Sequence, residues 1–76
     1  MKERILKLCS EVLPQIDFTS STALVSDGIL DSLSIVTLIS ELSMEFGVVF
    51  DLDQLTPDNL NSIDAIVKTV QNLQEK

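Results

Sequence analysis

Ser26-Asp27-Gly28-Ile29-Leu30-Asp31-Ser32-Leu33-Ser34-Ile35-Val36 is the stretch where a loop gives way to a helix. Asp27-Gly28 marks a turn. Asp31 is a good N-cap, because a short carboxylate can accept from the free N–H groups of a first helical turn. Apolar residues then recur at helical spacing. Ser32 is thereby set at a helix N-terminus, its hydroxyl beside unpaired backbone N–H groups. A phosphate ester on that hydroxyl would sit at the positive end of the helix dipole, a gain of roughly 0.3–1 kcal/mol if exposed. Asp31 would oppose it in part by like charge. Physics permits a phospho-adduct on Ser32 without requiring one.

Downstream, the helix is predicted over 32–46, with Gly47 as its left-handed stop. Spacing residues at 100° puts Ile35, Val36, Ile39, Leu42 and Phe46 inward, with Ser43 at the edge. Leu33, Ser34, Thr37, Ser40, Glu41 and Met44 face outward. An exposed Leu or Met is ordinary taken singly, but Leu33 and Met44 share one stripe that begins beside Ser32. Upstream, residues 14–31 form a connection long enough to be functional rather than a bare linker. Thr19-Ser20-Ser21-Thr22 favours turns, while Ile16, Phe18, Leu24, Ile29 and Leu30 are expected to pin the loop across the helices.

Before that loop, residues 2–13 read as a helix with Ile5, Leu8, Cys9 and Val12 on one stripe, and Pro14 stops it. Cys9 lies on the stripe and reads as a small core residue. Beyond Gly47, Val48-Val49-Phe50 has no segment to pair with as a strand, so an extended stretch with Phe50 tucked inward is expected. Asp51 and Asp53 lack the Gly and the later Glu of a calcium loop, and no metal site is expected. Thr56-Pro57-Asp58-Asn59-Leu60 reads as one helical turn with Thr56 as cap and Pro57 first. Ser62 caps a last helix whose inner face is Ile63, Ile66, Val67, Val70 and Leu73. Lys68 and Lys76 fall toward its C-terminal half, where positive charge suits the dipole.

The 76 residues are read as one domain, 1–76, without repeats. A chain of this size hides only about 60% of its unfolded surface, so the core is thin and an enclosed catalytic pocket is not expected. There is no His, the commonest general base and metal ligand. The Gly-x-Ser-x-Gly elbow is absent around Ser32, since Leu30 and Ser34 stand where its glycines would be. Aromatics are 4% with no Trp or Tyr, against a base-stacking surface. Net charge is −7. All five basic residues lie near the ends (Lys2, Arg4, Lys7, Lys68, Lys76), and ten acids lie between Leu8 and Val67. The middle of the molecule should repel nucleic acid and anionic lipid and favour basic partner surfaces. One cysteine excludes an internal disulfide, no apolar run spans a bilayer and no signal-peptide core is visible; a cytoplasmic monomer is expected.

Gly28-Ile29-Leu30-Asp31-Ser32-Leu33 resembles the prosthetic-group motif of the acyl carrier and peptidyl carrier protein family. The likeness extends to Glu45-Phe46-Gly47, at the end of the helix after the serine. It extends also to Leu55-Thr56-Pro57-Asp58-Asn59-Leu60-Asn61-Ser62-Ile63, which is similar to the family's short third helix and the start of its fourth. The resemblance implies an all-α four-helix bundle of acyl-carrier type. Three helices are longer and one is short, with a long loop between the first two. It implies a 4′-phosphopantetheine arm on Ser32, flanked by Asp31, installed from coenzyme A with Mg²⁺ by a phosphopantetheinyl transferase. The arm's thiol would hold cargo as a thioester between a loading ligase or adenylating enzyme and a downstream acyl- or aminoacyl-transferring enzyme. The chain itself would not be an enzyme. Leu33, Thr37, Glu41 and Met44 are the expected docking residues. Carriers of fatty acid synthesis typically show an acidic face on the second helix. Here Ser34, Thr37, Ser43 and Met44 stand at such positions. The likeness therefore leans toward stand-alone aminoacyl carriers, such as D-alanyl carriers, and carriers of secondary metabolism. Read without a prosthetic group, the same residues describe a small helical interaction module docking through Leu33 and Met44.

Overall fold

The computed structural model describes residues 1–19 and 22–75. It is all-helical, with no strand among the described residues. Four α-helices follow in order: α1 (Lys2–Val12), α2 (Ser32–Phe46), α3 (Pro57–Leu60) and α4 (Ile63–Gln74). This is the expected bundle of three longer helices and one short one. Of the polar run at 19–22, Ser20 and Ser21 lie outside the described residues, as does Lys76.

The helix ends follow local chemistry. α1 stops one residue before the expected Leu13, which has left helical geometry (φ −128°, ψ 71°), as the proline that follows disfavours the helical region. α2 has the predicted bounds. Asp31 caps it with an extended backbone, and Gly47 closes it in the left-handed region at φ 64°, a conformation that costs a glycine nothing. Ser62 caps α4 by accepting from the Ala65 N–H at 3.1 Å. Thr56 occupies the cap position of α3 but its side chain makes no cap bond; Pro57 stands first in that helix as expected. Within 48–55 a short 3₁₀ turn forms over Leu52–Gln54, closed by the Gln54 N–H donating to the Asp51 carbonyl at 3.0 Å.

α1 packs on both α2 and α4, and α3 packs on α4. The core is one cluster drawn from every part of the chain: Ile5 and Cys9 of α1, Leu38 and Leu42 of α2, Leu60 of α3, Ile63, Ile66 and Val70 of α4. Phe18, Leu24 and Leu30 come from the long connection, which is pinned as expected. Ile16 and Phe50 are half-buried against this cluster. Thr69 is also buried; its hydroxyl donates to the Ala65 carbonyl at 2.8 Å, so the polar group is satisfied.

Two expectations are corrected. The 100° projection puts Val36 inward and leaves Leu38 off the inner face, yet Val36 is 62% exposed and Leu38 is buried. The inward sector of α2 is therefore rotated toward Leu38. Ile29 was expected to pin the loop, yet it is 40% exposed and its neighbour Leu30 is buried instead. Charge is also redistributed. Lys2 pairs with Asp64 at 2.7 Å and Arg4 with Glu45 at 2.8 Å, so basic ends fold back onto the acidic middle. Both pairs are well exposed and each contributes no more than about 1 kcal/mol.

Candidate functional site

Ser32 is the first residue of α2 and is exposed. Its position is set from both sides. Behind it, Leu30 is buried and its N–H donates to the Leu24 carbonyl at 2.8 Å. Ahead of it, the Asp31 Oδ1 accepts from the Ser34 N–H at 2.8 Å and the Asp31 carbonyl accepts from Ile35 N–H at 2.9 Å. The bond that caps the helix thus belongs to Asp31, and the Ser32 hydroxyl is left outside that duty. The Ser34 N–H is the main reason why the Asp31 carboxyl lies below its ordinary range. The Asp31 charge is thereby favoured beside the serine, where it would partly oppose a phosphate by like charge.

The nearby hydroxyls are engaged elsewhere. Thr37 donates back to the Leu33 carbonyl at 2.9 Å. Ser26 Oγ accepts from the Asn61 Nδ2 at 3.1 Å. Ser34 is half-buried. Surface depressions of about 230, 290 and 150 Å³ are lined by other residues and do not include Ser32. Ser32 itself is exposed, so a group attached there would leave from the surface. The residues present fit such an attachment: an exposed serine at a helix start whose capping bond is made by Asp31.

The docking residues named from the sequence fall along α2. Leu33 and Met44 are 80% and 78% exposed, Thr37 is exposed and Glu41 is half-buried. Val36 joins Leu33 and Met44, so three apolar side chains of α2 face solvent. Glu45 is held by Arg4, whose guanidinium also lies over the Phe46 ring at 4.8 Å from its centroid. Of the two acids in α2, Glu41 is therefore the one that this pair does not neutralise. Cys9 is fully buried on α1, and burial pushes its thiol up to about 12. It is a core residue, as its place on the stripe suggested, and offers no competing thiolate near neutral pH.

Sequence reasoning missed Asn61. It lies between α3 and α4, and its Oδ1 accepts from the N–H groups of Val25 (2.9 Å) and Ser26 (3.0 Å). Asn at a turn is an ordinary sight, and nothing local points to partners more than thirty residues away.

An acidic four-helix bundle that presents an exposed serine at the head of its second helix suits a carrier. The comparison with protein-family models agrees: residues 3–70 match the family described as Phosphopantetheine attachment site, and the chain belongs to it. It is an acyl/peptidyl carrier protein, a non-catalytic substrate of other enzymes that bears a covalent 4′-phosphopantetheine. Carriers of this family are modified by phosphopantetheinyl transferases and interact with partner enzymes. Neither a curated protein nor a solved structure matches the chain. No described helix is long and apolar enough to cross a membrane.

Proposed function

We propose that Ser32 is the attachment point of the arm, and that the chain carries an acyl or aminoacyl group as a thioester between a loading ligase and a transferring enzyme. The observation that carries this reading is the exposed Ser32 at the start of α2, with capping left to Asp31. Modification joins the Ser32 oxygen to the phosphorus bearing the pantetheine half of coenzyme A. The bond to adenosine 3′,5′-bisphosphate breaks, and the serine proton passes to a base in the transferase, since this chain has no His. Bound there, the arm supplies the thiol that holds the cargo. The role of this chain is to fix the serine, keep it in solvent and offer a docking face. The test is intact mass after incubation with coenzyme A, Mg²⁺ and a broad-specificity transferase. One phosphopantetheine should be gained, and fragmentation should place it on Ser32. An arm found on another residue overturns the assignment.

The pathway reading is an aminoacyl, D-alanyl-like or secondary-metabolite route rather than core fatty acid synthesis. The supporting observation is the outward face of α2, where Leu33, Val36 and Met44 are exposed and Glu45 is held by Arg4. Docking on such a face depends on apolar burial more than on charge. Affinity for the loading enzyme should fall only about threefold between low and physiological salt. Leu33→Ala and Met44→Ala should each weaken it about tenfold, the scale of one apolar side chain buried at an interface. A steep salt dependence with Met44→Ala neutral, read by titration calorimetry, would count against this pathway.

A further inference from the structure

The bonds around Asn61 do more than close a turn. The segment 24–30 is folded into a tight loop. The Asp27 N–H donates to Ala23 O at 2.8 Å, Gly28 N–H to Val25 O at 3.1 Å and Leu30 N–H to Leu24 O at 2.8 Å. Gly28 takes φ 76°, which a side chain would strain. Asn61 grips this loop from outside. Its Oδ1 accepts from Val25 and Ser26, its Nδ2 donates to Ser26 Oγ at 3.1 Å, and its own carbonyl accepts from Leu24 N–H at 2.8 Å. Asn61 itself is braced between the buried Leu60 and the α4 cap, Ser62. Leu24 is the link: it is buried, bonded through its N–H to Asn61 and through its carbonyl to Leu30, two residues before Ser32.

We propose that Asn61 is a positioning residue for the modification of Ser32: its carboxamide holds the 24–30 loop in the shape in which the transferase meets the serine. This rests on Ser32 being the attachment point. An enzyme that must dock beside Ser32 meets the loop as well as α2, because Asp27, Gly28 and Ile29 are exposed next to it. If the loop opens, only the closed fraction is competent. The apparent affinity falls by that fraction, while turnover of the docked complex is unchanged. A purely structural role would lower global stability and leave the kinetics of the folded protein alone. The carboxamide suits the place because one planar group supplies both the shared acceptor and the donor.

The test uses the full chain with coenzyme A, Mg²⁺ and a broad-specificity transferase. Initial rates are read by intact mass against carrier concentration, at a temperature where circular dichroism shows each variant folded. Asn61→Ala should raise the KM for the carrier about tenfold with kcat within about twofold, the scale of two or three lost hydrogen bonds acting through loop order. Amide exchange at Val25 and Ser26 should quicken in the same variant. Asn61→Asp should stay near the parent, because a carboxylate keeps the acceptor and the Ser26 hydroxyl can turn to donate. If Asn61→Ala does not hold its fold, Asn61→Ser replaces it, with a hydroxyl too short to reach both amides and the same expected rise in KM. An unchanged KM with faster exchange at Val25 and Ser26 overturns the proposal, as does Asn61→Asp failing as badly as Asn61→Ala. A parent protein that takes no arm on Ser32 sinks the attachment reading, and this one with it. A parent modified on Ser32 alongside an unaffected Asn61→Ala sinks only the role of Asn61.

Discussion

Ser32→Ala should gain no phosphopantetheine under conditions where the parent chain is fully modified, and should keep its helical circular dichroism signal. The two halves of that result come from separate facts. Loss of the adduct follows because the neighbouring hydroxyls are poor substitutes: Thr37 is bonded to its own helix, Ser26 receives Asn61 and Ser34 is half-buried. Retention of the fold follows because the α2 cap is made by Asp31 and the Ser34 N–H, so Ser32 gives up no capping bond. Alanine is the best helix former, and an exposed substitution of this kind changes stability by no more than about 0.5 kcal/mol. Intact mass reads the first half and a thermal melt reads the second. Residual modification in the variant would mean that the transferase reaches Ser26, Ser34 or Thr37, and the geometry that singles out Ser32 would have to be abandoned.

The features that were legible in the sequence are those decided within a few residues. Asp31 and Gly47 bound α2 because a cap carboxylate and a left-handed glycine act on their own helix turn. Pro14 ends α1 through the residue beside it, and Ser62 starts α4 through Ala65. The start of α2 at Ser32, with Asp31 as its cap, was legible for the same reason. What was not legible depends on partners far along the chain. Asn61 reaches Val25 across 36 positions, and Arg4 reaches Glu45 across 41. The outward face of α2 posed a different ambiguity. α2 carries Leu33, Ile35, Val36, Leu38, Ile39, Leu42, Met44 and Phe46, apolar residues around much of its circumference. Such a helix has no unique inward direction by periodicity. Its rotation is decided by what packs on it, here α1 and α4, around a core that Phe18, Leu24 and Leu30 of the long connection complete. Ile29 and Leu30 posed the same problem on a smaller scale, since adjacent residues outside a helix can face opposite ways.

The rotation of α2 has a large energetic consequence that two substitutions can measure. Leu38→Ala should destabilise the protein by about 3 kcal/mol, within the range of buried Leu truncations that leave a partly collapsed cavity. Val36→Ala, two residues away on the same helix, should change stability by no more than about 0.5 kcal/mol. Leu38 is 1% exposed and belongs to the core cluster, whereas Val36 is 62% exposed. On general scaling, a chain of 76 residues has a total stability of only about 4–11 kcal/mol. A loss of 3 kcal/mol would then lower Tm by roughly 12–24 °C. Thermal melts of the two variants side by side decide the matter. Equal effects, or a larger loss at Val36, would mean that α2 sits in the bundle as the bare 100° projection implied. In that case Val36 would leave the proposed docking face, and the exposed apolar surface beside Ser32 would be carried by Leu33 and Met44 alone. The expected outcome instead places three apolar side chains of α2 in solvent at the cost of none in the core. Leu38 and Leu42 already fill the inward sector. That division of labour lets the outer face change with the partner while the scaffold holding Ser32 stays the same.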